Sequence, residues 1–144
     1  MQRITGRGLG LGTWMLCACF SSACVIDSAS IQAEDWPGWR GPRGDGTSLE
    51  AELPLKWDGV TGENIAWKTP LKSHGHSSPI LVGESIYVTG AEEATGRRML
   101  TAFDRHTGSV KWEREILAAP LEKKHKLNSW ASGTPACDGQ TVYV

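Results

Sequence analysis

The chain has 144 residues, a formal net charge of −1 at pH 7, 40% hydrophobic residues and seven tryptophans. That length accommodates one domain, and a near-neutral balance with no basic stripe argues against nucleic acid or another strongly anionic partner.

At the N-terminus, Arg3 and Arg7 precede an apolar run over 9–26 and then a small-residue zone, Ser28-Ala29-Ser30-Ile31-Gln32-Ala33. This order predicts a secretory signal peptide over 1–33, cut after Ser30 or Ala33, and a product exported to the periplasm or cell surface. Gly10, Gly12, Ser21 and Ser22 interrupt the run, which is marginal for the roughly twenty apolar residues of a full span. No stable membrane span is therefore expected after cleavage. Cys17, Cys19 and Cys24 lie in this leader, so cleavage leaves Cys137 alone and excludes an internal disulfide. Ser21-Ser22-Ala23-Cys24 faintly resembles a bacterial lipoprotein cleavage box, but Ser21 stands where an aliphatic residue is usual, and no lipid anchor is expected.

Residues 34–64 are rich in Trp, Gly and Pro, beginning Asp35-Trp36-Pro37-Gly38-Trp39-Arg40-Gly41-Pro42. Such composition predicts an irregular strap pinned by two indoles. The adhesion-like tripeptide Arg43-Gly44-Asp45 is read as part of that strap. From residue 65 onward, alternation and turn chemistry predict strands at 65–69, 78–82, 85–89, 98–104, 110–116, 134–137 and 141–144, with no helical stripe. Only the middle four make a complete sheet. Gly83-Glu84 and Asp138-Gly139 are two-residue hairpin signals of types II′ and I′, and 92–96 is a looser connection.

Two repeats run through this region. Ser78-Pro79-Ile80-Leu81-Val82-Gly83-Glu84-Ser85-Ile86-Tyr87-Val88 aligns without a gap on Thr134-Pro135-Ala136-Cys137-Asp138-Gly139-Gln140-Thr141-Val142-Tyr143-Val144. Trp67 and Trp112 form a second pair, 45 residues apart against 56 for Pro79 and Pro135. An insertion over 118–131, containing Lys123-Lys124-His125-Lys126, accounts for the difference and is expected to form a loop.

The most telling stretch is Ala102-Phe103-Asp104-Arg105-His106-Thr107-Gly108-Ser109-Val110-Lys111-Trp112, which reads as strand, tight turn and strand. Asp104 can accept from turn amides two residues on, Thr107-Gly108 supplies the turn, and Ala102 leaves room beside the strand for a large ring. Ala102 and Asp104 should share one face, as should Val110 and Trp112. The spacing Ala102-x-Asp104-x-x-Thr107-Gly108-x-x-x-Trp112 resembles the tryptophan-docking motif of the pyrroloquinoline-quinone-type (PQQ-like) β-propeller repeats. That resemblance implies an all-β, incomplete β-propeller, with one full four-stranded blade plus parts of its neighbours over 65–144. It also implies that Trp112 is cement between blades. Asp58-Gly59-Val60-Thr61-Gly62 with Trp67 echoes the motif in degenerate form, with the Trp one residue late and Lys56 in place of Ala. The strap resembles the segment leading into the first blade of such proteins. Because propellers close with about four to eight blades, the chain is expected to be the N-terminal fragment of a longer protein.

His74-Gly75-His76 is the one weak metal candidate, since residues two apart project to the same side of an extended chain; a polar inter-strand loop is the preferred reading. His106 and His125 are read as exposed loop residues. Trp36, Trp39, Trp57 and Trp130 could form a sugar-stacking platform, against which stands ordinary structural packing of indoles. No catalytic, cofactor-binding or metal residue is therefore assigned. The first expectation for function is a non-enzymatic binding or scaffold platform for protein or polysaccharide. The alternatives are the N-terminal part of a quinoprotein dehydrogenase, which the resemblance would equip with pyrroloquinoline quinone and calcium, and a truncated fragment without function. The resemblance implies that such enzymes place a vicinal disulfide, a calcium-coordinating Asn/Glu set and a catalytic Asp in later blades, and this sequence shows no adjacent cysteine pair.

Overall fold

A computed structural model describes residues 33–51 and 53–144, which belong to one compact unit. The expected signal peptide, apart from Ala33, lies outside the described residues, as do Cys17, Cys19 and Cys24. Six strands follow in chain order: β1 (Ile80–Val82), β2 (Ser85–Glu92), β3 (Arg97–Asp104), β4 (Val110–Ala118), β5 (Ala136–Cys137) and β6 (Val142–Tyr143). β1 to β4 form one antiparallel sheet in sequential order, and β5 pairs with β6 in a second. No helix occurs among the described residues. This is the all-β, single-blade arrangement that the repeats predict, with β5 and β6 opening a neighbouring unit.

Burial follows position in the sheet. β3, paired on both edges, holds Met99, Leu100, Ala102 and Phe103, all 7% exposed or less, whereas every residue of the edge strand β4 is exposed. Burying a side chain the size of Phe103 contributes roughly 1.5–3 kcal/mol. Ala102 is fully buried and is the Cα partner of both Tyr87 and Trp112. Its methyl group leaves room for these flanking rings, whose centroids lie 5.8 Å apart at 49°. A larger side chain would occupy that space.

Three sequence expectations about strands and turns are corrected. The segment 65–69 is not a strand, because it has no ladder partner among the described residues; its side chains dock across the sheet instead. Val110 and Trp112 do not share a face. Val110 is paired with Phe103 and Trp112 with the adjacent Ala102, so Lys111 is an extra residue in a β-bulge that flips the side-chain alternation. At the second hairpin, Gly139 takes φ +95° while Asp138 stays out of the positive region, so the turn is not type I′. The first hairpin is as read, with φ +53° at Gly83 alone.

The strap joins the sheet through its backbone. Trp36 N–H donates to Leu81 O at 2.7 Å and Leu81 N–H returns to Trp36 O at 3.0 Å, which extends the outer edge of β1. Cys137 N–H donates to Pro37 O at 2.8 Å, so the same strap also holds β5. One indole, not two, pins it: Trp36 lies over Gly41, whereas Trp39 is 66% exposed with the Arg40 guanidinium 5.1 Å above its ring. Arg43 is occupied within the strap, by the Glu34 carboxylate at 2.8 and 2.9 Å, and Asp45 Oδ1 accepts from Thr47. The adhesion-like tripeptide is thus consumed by local structure.

Urea unfolding of the chain, followed by circular dichroism, should show one cooperative transition, and Ala102→Leu should lower its stability by about 1–3 kcal/mol through overpacking. A gradual loss of signal would show that these strands do not fold as a unit.

Candidate functional site: a docked turn beside an apolar cleft

The turn between β3 and β4 is built by one carboxylate. Asp104 Oδ1 accepts from His106 N–H at 3.0 Å, Thr107 N–H at 2.8 Å and the Thr107 hydroxyl at 2.9 Å. Gly108 N–H closes the turn on Asp104 O at 2.9 Å. These donors stabilise the charged form, with those from Thr107 the strongest, and hold the Asp104 carboxyl below its ordinary range. Gly108 sits at φ +69°, and a Cβ there would stand 2.3 Å from the Trp67 ring. Glycine is therefore required twice, by the left-handed backbone and by the indole lying on it.

Trp67 completes the arrangement. Its Nε1–H donates to Arg105 O at 2.9 Å, and Thr69 Oγ1 donates to Gly108 O at 2.6 Å. Arg105 reaches on to Gly83 O at 3.2 Å and Ala33 O at 2.8 Å, tying the turn to the first hairpin and the strap. Sequence reasoning passed over Trp67 because its own upstream motif is imperfect. That upstream segment nevertheless makes the same kind of turn: Asp58 Oδ1 accepts from Val60 and Thr61, Gly62 N–H closes on Asp58 O, and Gly62 takes φ +83°. Trp112 packs beside Tyr87 in its own sheet and is 37% exposed, and its Nε1 has no hydrogen-bond partner among the described residues.

Behind the docked indole lies an apolar cleft of about 580 Å³, lined by Trp36, Trp39, Trp67, Leu71, Val88 and Phe103 among others. The four tryptophans of the sugar-platform reading are not brought together. Trp36 and Trp39 line this cleft, Trp57 lies 69% exposed elsewhere, and Trp130 donates its Nε1–H to Glu122 O in the insertion loop.

His74 and His76 are held by their backbones. His74 exchanges hydrogen bonds with Ala91 at 2.8 and 3.0 Å, and His76 N–H donates to Ala131 O at 3.0 Å. Among the described residues, no group of three or more His, Cys, Asp or Glu side chains is placed to hold a metal ion. Asn64 Nδ2 donates to Lys56 O, and the Asn128 backbone N–H donates to His125 O. His106 Nε2 stands 2.7 Å from Glu84 Oε2 in an exposed pair.

The family model described as outer membrane protein assembly factor BamB matches residues 51–144. The chain belongs to this family. Its PQQ-like repeats are those of β-propellers, and the four-stranded sheet is one blade of that architecture. No curated protein and no solved structure matches the chain.

Gly108→Ala should cost about 1–2 kcal/mol from the left-handed backbone alone. It should also displace Trp67, seen as a lower urea midpoint with red-shifted tryptophan emission. Acid should act through two clamped carboxylates. Glu34, held chiefly by Arg43, is lowered from 4.5 to about 2, and Asp138, held chiefly by Thr141, from 3.8 to about 2. Because the folded values lie below the unfolded ones, the stabilisation is fully present above the unfolded values and is lost as pH falls towards 2. Urea midpoints should hold steady from pH 7 to 5 and fall below about pH 4.5, with a shallower fall in Glu34→Gln.

Proposed function

We propose that this protein is a propeller-repeat platform that binds a partner without carrying out chemistry on it, exported to the periplasm or cell surface. The observation that carries the reading is the fate of its carboxylates. Among the described residues, each Asp or Glu with a displaced pKa is displaced downwards: Glu34, Asp45, Asp58, Asp104, Glu122 and Asp138. Asp45, Asp58, Asp104 and Asp138 do so chiefly by accepting from the amides of their own turns, Glu122 chiefly from its own backbone amide and then from Arg98, and Glu34 chiefly from Arg43. These carboxylates are engaged by turn amides and guanidinium groups, and in those contacts they serve architecture.

Membership of a family described as an outer membrane protein assembly factor favours a protein over a polysaccharide as the partner. Among the described residues no helix is long and apolar enough to cross a membrane. Trp112 completes the reading: it offers an indole with an unused N–H, placed 45 residues after Trp67, to the corresponding turn of a neighbouring repeat.

Thermal unfolding of the chain with and without added pyrroloquinoline quinone and calcium tests the platform reading against a quinoprotein. The melting temperature should be unchanged, since ligand that binds only the folded state must raise it. A shift of several degrees with quinone-dependent dye reduction would contradict the platform.

A further inference from the structure

Ala118, the first residue of the expected insertion, instead ends β4, and the loop over 119–131 that follows is held by definite contacts. The Arg98 side chain, 11% exposed, donates from Nη1 to Gly96 O at 2.8 Å and Ala119 O at 2.9 Å, and from Nη2 to Glu122 Oε2 at 2.6 Å. Gly96, at φ +70°, lets the loop close in, because a Cβ there would stand 2.3 Å from Ala119 O. At the other end, Trp130 Nε1–H donates to Glu122 O at 2.8 Å, and Lys124 Nζ lies 4.3 Å from the Trp130 ring centroid. Asn128 N–H closes on His125 O at 2.9 Å.

The loop therefore presents a fixed tip. Lys123 and Lys126 are exposed and have no ion-pair partner among the described residues, and the loop's one carboxylate, Glu122, is taken by Arg98. Leu127, next to Lys126 in the chain, is 71% exposed. Three lysines within four residues are a local feature of a chain whose whole balance is −1. Adjacent positive charge and an exposed apolar side chain suit a protein surface where carboxylates surround an apolar spot.

We propose that this tip, Lys123, Lys126 and Leu127, is the docking surface for an acidic protein segment that carries apolar side chains. The assignment rests on the platform reading and names its partner's chemistry. The test is fluorescence anisotropy of the full chain with a labelled glutamate-rich peptide carrying spaced leucines, beside leucine-free polyglutamate and phosphatidylglycerol vesicles. Saturable binding to the leucine-containing peptide should weaken on the order of tenfold in Lys123→Glu/Lys126→Glu and with rising salt. It should weaken several-fold in Leu127→Ser, with unchanged urea midpoints in every variant. Lys123→Gln/Lys126→Gln, which removes charge without reversing it, should give an intermediate loss. No saturable binding, equal binding by the charge-reversed variant, equal binding of leucine-free polyglutamate, or tighter binding to vesicles would each overturn the assignment. A missing peptide signal removes this surface alone, whereas stabilisation by quinone and calcium removes the platform reading beneath it.

Discussion

One aromatic ring lying on one glycine organises this structure. Trp67 has no strand of its own to belong to among the described residues, yet its indole covers Gly108 and its N–H is satisfied by Arg105 O. A buried indole without a partner for its N–H loses part of what its area contributes, and the carbonyl of the turn supplies that partner. The turn in turn needs Asp104 to gather its amides and glycine to accept the left-handed backbone. Each part is a condition for the next.

The same contact explains why the segments flanking the sheet stay attached to it. Arg105, whose carbonyl receives the indole, sends its guanidinium to Gly83 and Ala33, while the strap pairs with Leu81 and reaches Cys137. A four-stranded sheet with two-sided apolar character cannot cover itself. Here Trp36, Trp67 and Leu71 cover part of one face over the cleft, and Tyr87 and Trp112 cover Ala102 on the other. Stability is thus shared between strand pairing and rings laid on small residues.

Much of this was legible in the residues. The hairpin at Gly83-Glu84, the order of the four strands and the Asp104 turn follow from alternation and from side chains with one evident local use. What was not legible depended on distance or on a single added residue. The bulge at Lys111 leaves no mark in a run of alternating residues, yet it sends Val110 and Trp112 to opposite faces. The segment at 65–69 has a strand's composition, but pairing needs a neighbour that composition cannot reveal. Arg98 reads as an ordinary strand residue, and its grip on Ala119 and Glu122 shows only once β3 and the loop are placed together. Trp67 could have been assigned its role from its 45-residue offset to Trp112, had the imperfect motif around it been weighed less heavily.

Proton NMR of the chain measures the central contact directly. With the indole stacked on the turn, the Gly108 Hα resonances should be displaced upfield by the Trp67 ring and show nuclear Overhauser contacts to it, and the Trp67 Nε1 proton should exchange slowly with solvent. Gly108 resonances at ordinary positions, with no contact to Trp67 and a freely exchanging indole proton, would contradict the account.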